Sequence, residues 1–99
     1  MNSEQKAALH RLIYIAKQNR GQSRKVADFL LAWWNADTCG GFDLTDLWAV
    51  DDAISNDMLT ILLMVTEVHS YPDSLGYEND FVAILREWRP HLLQNAVLS

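Results

Sequence analysis

Apolar residues recur at spacings of three and four along almost the whole chain, and no long apolar–polar alternation bounded by turns interrupts them. Such spacing lines one face of an α-helix, whereas a half-buried strand needs a period of two. The chain is therefore expected to be all-α. It should form a single compact bundle of four to five helices with short loops, with residues 1–99 as one helical domain. A chain of 99 residues buries roughly 60–70% of the surface its unfolded form exposes, enough for one modest core. Four Trp, three Tyr and three Phe supply large apolar pieces for that core.

The stripes and their punctuation place the helices. The first is expected from about Ser3 to Asn19, capped by Ser3, with Leu9, Leu12, Ile13 and Ala16 inward and Gly21 as the stop. The second should run from about Ser23 to Ala36, capped by Ser23. Val26, Phe29, Leu30 and Trp33 form one stripe there, and Ala27, Leu31 and Trp34 a second beside it. An arc so wide implies neighbours on more than one side. After the Gly40-Gly41 break, Asp43 and Asp46 suit the start of a short helix over about Leu44 to Val50, because carboxylates complement the free N–H groups of a helix N-terminus. Asp51 and Asp52 then open a longer helix to about His69. Its core positions are Ile54, Met58, Ile61, Leu62, Val65 and Val68, widened by Leu59 and Leu63, so this helix is expected at the centre of the bundle. YPDSLGY (71–77) reads as a turn. A helix from about Glu78 to Arg89 follows, with Phe81, Leu85 and Trp88 inward, and Pro90 can begin a last short helix through HLLQNA.

Charge is distributed unevenly. Residues 1–25 hold six bases and one acid, residues 26–85 hold eleven acids and no base, and the whole chain carries −5. One reading is internal complementarity, with the basic end packed beside the acidic middle; the other is a partner-binding surface. A single cysteine, Cys39, excludes an intrachain disulfide and a cysteine-based zinc site. No apolar run approaches the ~20 residues of a membrane-spanning helix, and charges interrupt the only apolar part of the N-terminus. The expected setting is the cytoplasm, with no membrane partner.

Five groups of residues are candidate sites. Asp43, Asp46, Asp51 and Asp52 are hard oxygen ligands that would suit Mg²⁺ or Ca²⁺ in a metal-dependent hydrolase. They lack the spacing of a calcium-binding loop, and helix capping explains Asp43 and Asp51, so no metal site is assigned. Cys39 beside Gly40-Gly41 has no visible base, and none of His10, His69 or His91 is spaced to form a dyad with it, so no catalytic residue is assigned. GQSRK (21–25) places two bases at a helix start, where a phosphate can bind, without the P-loop pattern. KQNRGQSRK (17–25) sets Lys17, Arg20, Arg24 and Lys25 around a tight turn between helices, the outline of a helix-turn-helix and a candidate nucleic-acid or anion site. Against it stand the apolar second helix and an overall pI near 4.9.

The fifth group is aromatic. Trp33 and Trp34 are adjacent, so on a helix they point about 100° apart. One is expected in the core and the other under the Gly40-Gly41 corner or at an interface, with Trp48 packed against that same corner. Trp33, Trp34 and Trp48 are the candidate partner-binding residues, since Trp is enriched at binding hot spots.

FLLAWWNA (29–36), GGFDLTDLWAVD (40–51), YPDSLGY (71–77) and WRPHL (88–92) together resemble a domain of unknown function found in small uncharacterised proteobacterial proteins, often on plasmids and integrative mobile elements. The resemblance covers roughly residues 9–93 and implies no activity, cofactor or catalytic residue. It tilts the expectation toward an accessory protein of mobile DNA. The resulting expectation is a non-enzymatic interaction module without a cofactor, binding another protein or itself as a homodimer. Nucleic-acid or phosphate binding through residues 17–25 is the first alternative, and the aspartate-based hydrolase the second.

Overall fold

A computed structural model describes residues 1–93. Four long helices build it: α1 (Ser3–Ala16), α2 (Ser23–Cys39), α3 (Asp52–Glu67) and α4 (Glu78–Trp88). A 3₁₀ turn over Leu44–Trp48 and a wide turn over Asp73–Tyr77 join them, and no strand occurs among the described residues. The all-α expectation holds. Residues 90–93 are helical, as Pro90 leads one to expect, and the rest of the expected short helix, 94–96, falls outside the described residues.

Helix α1 is the central element, and this corrects the placement of residues 52–69 at the centre. It packs against α2, α3 and α4. Leu9, Leu12 and Ala16 are fully buried, with Ala8 and Ile13 nearly so. These short or branched side chains let three helices approach one. The start of α1 is fixed by Asn2 rather than Ser3. The Asn2 side chain accepts from the Gln5 amide at 2.7 Å, and the Gln5 side chain accepts from the Asn2 amide at 3.0 Å. This reciprocal pair satisfies two otherwise free donors. The helix ends at Ala16, earlier than Gly21 suggested.

Helix α2 has no side-chain cap, and Ser23 does not serve as one. Gln22 reaches across instead and accepts the Asp51 amide at 2.5 Å, tying the start of α2 to the start of α3. Val26, Ala27, Leu30 and Leu31 are fully buried between α1 and α4, which is the two-sided contact implied by the double stripe. At Asn35 the backbone leaves the helix (φ −162°, ψ 84°) and then resumes it for one more turn, to Cys39. Asn35 Oδ1 accepts from the Thr38 amide at 3.2 Å, a local cap of the kind Asn favours. Gly40 ends the helix at φ 96°, a conformation that costs glycine little and other residues more.

Helix α3 lies on α1, with Met58, Ile61 and Met64 fully buried and Ile54, Val65 and Val68 partly so. Leu62, expected as a core position, is 39% exposed, and Leu59 (55%) and Leu63 (59%), expected to widen the core stripe, also face water, which corrects all three placements. The loop to α4 closes through Leu75 and Tyr77 amides donating to the Pro72 carbonyl at 3.1 and 3.0 Å, with Gly76 at φ 95° completing the bend. Helix α4 carries Phe81 and Ile84 into the core, and the Trp88 indole donates to the Ala16 carbonyl at 2.7 Å, joining the ends of α4 and α1.

Part of the charge asymmetry is resolved inside the fold. Arg11 makes a two-point contact with Asp57 of α3 (2.8 and 2.9 Å), and Lys17 pairs with Asp80 of α4 at 2.5 Å. Both pairs are solvated and contribute little stability, but they orient α3 and α4 on α1. Arg89 is more enclosed. It donates to Asp28 of α2 at 2.7 Å and to the Cys39 carbonyl at 3.1 Å, holding the last turn of α2 against the end of α4.

Candidate functional site

The packing joins α3 closely to α1 alone. Helices α2 and α3 both lie on α1 but do not pack closely on each other. Between them runs an apolar groove of about 240 Å³. Phe29, Ala32 and Trp33 form its α2 wall, and Ile61, Leu62 and Val65 its α3 wall. Phe42 and Leu44 also line it, and Phe42 sits edge-on to Phe29 with ring centroids 5.2 Å apart. Leu59, Leu62 and Leu63 stand at i, i+3 and i+4 on α3, so they form one exposed apolar stripe that meets the groove at Leu62.

Trp33 is the junction of the region. It lines the groove, a second hollow with Val65, Val68 and Tyr71, and a third with Trp34, Asp37, Tyr71 and Asp73. Trp33 and Trp34 both meet the buried Phe81 in edge-to-face geometry, each with centroids 5.8 Å apart. This replaces the expected division between core and glycine corner. Phe81 lies where two diverging indoles can both reach it, and each indole stays half-buried with its other side toward the hollows.

Trp48 is 85% exposed and lines none of these hollows, so it does not pack against the Gly40-Gly41 corner. The 3₁₀ turn carrying it points Leu47 toward the core instead, and Phe42 supplies the aromatic contact at the corner. The structure thus brings Trp33 and Trp34 together and leaves Trp48 apart. Sequence reasoning missed Leu59, Leu62 and Leu63 as surface, and missed Tyr71, Asp37 and Asp73 altogether. A signal for the leucines exists: residues 54, 58, 61, 65 and 68 already complete one helical stripe, so three more leucines beside it demand a second neighbour.

The model of a family of unknown function matches residues 6–89. The chain belongs to that family, DUF7673. The DUF7673 match begins within α1 and ends at Arg89, so it takes in both walls of the groove, the aromatic junction and the basic turn. No curated protein and no solved structure matches the chain.

The other candidate sites of this DUF7673 chain are dispersed. Lys17 is engaged with Asp80, and Arg20 donates to Gln18 Oε1 at 2.9 Å. Arg24 and Lys25 make no ion pair among the described residues. Asp43 accepts from the Thr45 amide and hydroxyl at 2.9 and 2.8 Å, and these bonds, the hydroxyl one foremost, hold its carboxyl below the usual range. Asp51 stands at the start of α3 and Asp52 in its first turn. Among the described residues no three His, Cys, Asp or Glu side chains gather where they could share a cation, so Asp43, Asp46, Asp51 and Asp52 do not converge. No helix is long and apolar enough to cross a membrane among the described residues.

Cys39 is buried, and burial pushes its thiol above the ordinary value, with Arg89 acting weakly in the opposite direction. A protonated, enclosed thiol is a poor nucleophile. Iodoacetamide at mildly alkaline pH is expected to alkylate Cys39 at least about tenfold more slowly in the folded protein than in urea. Equal rates, followed by mass spectrometry, would show that the last turn of α2 opens freely.

Proposed function

We propose that this chain is a small non-enzymatic interaction module that docks another protein, or a second copy of itself, on the apolar groove between α2 and α3. The observation that carries the reading is the exposed stripe of Leu59, Leu62 and Leu63, which meets at Leu62 a groove that no element of the described chain fills. Large apolar side chains clustered in water cost free energy that a partner recovers on binding. Trp33, half-buried at the centre of the region, has the chemistry of a binding hot spot. The resemblance of residues 29–36, 40–51, 71–77 and 88–92 to proteins of plasmids and integrative elements supports an accessory role in mobile DNA. The lone Cys39 suits the reducing cytoplasm.

The test is photocrosslinking in cells of the source organism, with a benzophenone side chain placed at position 59 or 63 and, as control, at Tyr14, an exposed aromatic on α1. The expected result is one discrete adduct from positions 59 and 63, none from position 14, and loss of the adduct when Leu62→Asp is added. Mass spectrometry of the adduct separates a dimer of the chain from a different protein. Equal labelling at all three positions, or none at 59 and 63, sinks the reading.

Nucleic-acid binding through the turn at residues 17–25 is the second reading. It is favoured by Arg24 and Lys25, which find no acid inside the described fold. Fluorescence polarisation with labelled duplex DNA, compared at about 50 and 200 mM salt, tests it. Four phosphate contacts predict a loss of roughly a hundredfold across that range. Charge reversal at Arg20 and Arg24 that left binding unchanged would end it.

A further inference from the structure

We infer that the occupant of the α2–α3 groove is a cationic amphipathic helix of a partner protein, with one of its basic side chains seated in the hollow formed by Trp33, Trp34, Tyr71, Asp37 and Asp73. This rests on the docking reading above and names the chemistry of the partner. Two features of the surface carry it. The groove is apolar on both walls and borders a helix face bearing Leu59, Leu62 and Leu63, the form that receives an apolar stripe at i, i+3, i+4 and i+7. The hollow reached through Trp33 joins aromatic rings to two carboxylates, and Tyr71 is 62% exposed at its rim. Aromatic faces and carboxylates together favour a guanidinium or ammonium group over a neutral or anionic one.

Charge complementarity selects this occupant over a second copy. Every residue of the groove and of the hollow falls within 26–85, a stretch with eleven acids and no base. Among the described residues no Lys or Arg lines either one, and neither Asp37 nor Asp73 has an ion-pair partner. The bases Arg11, Lys17 and Arg89 are held by Asp57, Asp80 and Asp28. A symmetric dimer through this face would bring Asp37 and Asp73 toward the same pair on its copy with no base of the lining between them, and like charges across an interface oppose association. A partner helix with bases flanking its apolar stripe meets attraction in the same place and arrives faster.

The experiment is an amide and indole NMR titration of the full chain with two synthetic helical peptides that share one leucine stripe. One carries Lys and Arg on its polar face, the other Glu. The expected result is binding of the cationic peptide, with the largest shifts at the Trp33 and Trp34 indoles, Tyr71 and the α3 leucines. Asp37→Asn with Asp73→Asn should weaken it about tenfold. Glu4→Gln with Glu87→Gln, which removes the same charge outside the hollow, should leave it within about twofold. Equal binding of both peptides, or no difference between the two double variants, overturns the cationic assignment and leaves the docking groove standing. Failure of both peptides together with a crosslinked dimer at position 63 replaces the partner helix by a second copy. Failure of both peptides with no crosslink at all removes the inference and the docking reading together.

Discussion

Phe81→Ala is expected to be the most damaging single substitution in the described chain, costing about 3–5 kcal/mol. Phe81 is fully buried on α4, and the edges and faces of Trp33 and Trp34 close around it. Truncation removes a large apolar side chain and leaves a cavity between the two indoles, and a cavity that its lining fills only in part adds to the transfer cost. Each lost aromatic pair adds to the transfer cost. Domains of this kind are stable by only about 5–15 kcal/mol, so the change takes a large share of the total. Urea unfolding followed by circular dichroism measures it, and tryptophan emission of the folded variant should shift to the red as water reaches Trp33 and Trp34. A loss below about 1 kcal/mol would mean that the two indoles do not rest on Phe81 as described.

The second prediction is a contrast between two leucines. Leu12→Ala is expected to cost about 2–5 kcal/mol and Leu63→Ala less than about 0.5 kcal/mol. Leu12 is fully buried on α1, the helix that packs against α2, α3 and α4, whereas Leu63 is 59% exposed on α3. Periodicity makes α3 the better candidate for a central helix, so the pair of variants reads out which helix the fold places at its centre. If Leu63→Ala proved the costlier change, the outer face of α3 would be covered in solution by something, most simply a second copy, and the stability of the wild-type chain would then depend on its concentration.

The two leucines also show where sequence reasoning stops. Both lie on amphipathic helices, and a hydrophobic stripe records that a face is apolar without recording what covers it. The apolar arc of α2 is as wide as that of α3. The arc of α2 is covered from two sides by α1 and α4, while α3 packs closely on α1 alone. The same limit applies to the tryptophans. Adjacent indoles must diverge, which was legible, but their common support by Phe81 depends on a residue 47 or 48 positions away in the chain, brought there by helix packing. Helix caps were misplaced for a simpler reason. Asn2, Ser3, Gln22 and Ser23 are competing polar residues at two helix starts. Asn2 wins because Gln5 returns its hydrogen bond, and Gln22 is drawn away by the Asp51 amide, a tertiary partner.

The candidate site was legible in part. Of the candidate tryptophans Trp33, Trp34 and Trp48, which the chain offers as indoles of the hot-spot kind, Trp33 and Trp34 stand at the groove and its neighbouring hollows and Trp48 lies apart. Tyr71, Asp37 and Asp73 carry no pattern that marks them, since the turn at 71–77 and the resumed last turn of α2 meet only in three dimensions. Capping accounted for Asp43 in advance, because that interaction is local and spans two residues.

What the sequence determined by itself was the all-helical fold class, the approximate span of each helix and the base-free middle of the chain, because periodicity, propensity and charge count act over a few residues at a time. The tertiary structure decided which helix is central, which leucines face water, and which aromatics and carboxylates share a hollow. Those follow from how closely particular helices can approach. Small and branched side chains on α1 admit three neighbours; of these, α4 also closes on α2, while α3 packs closely on α1 alone and leaves the groove beside α2.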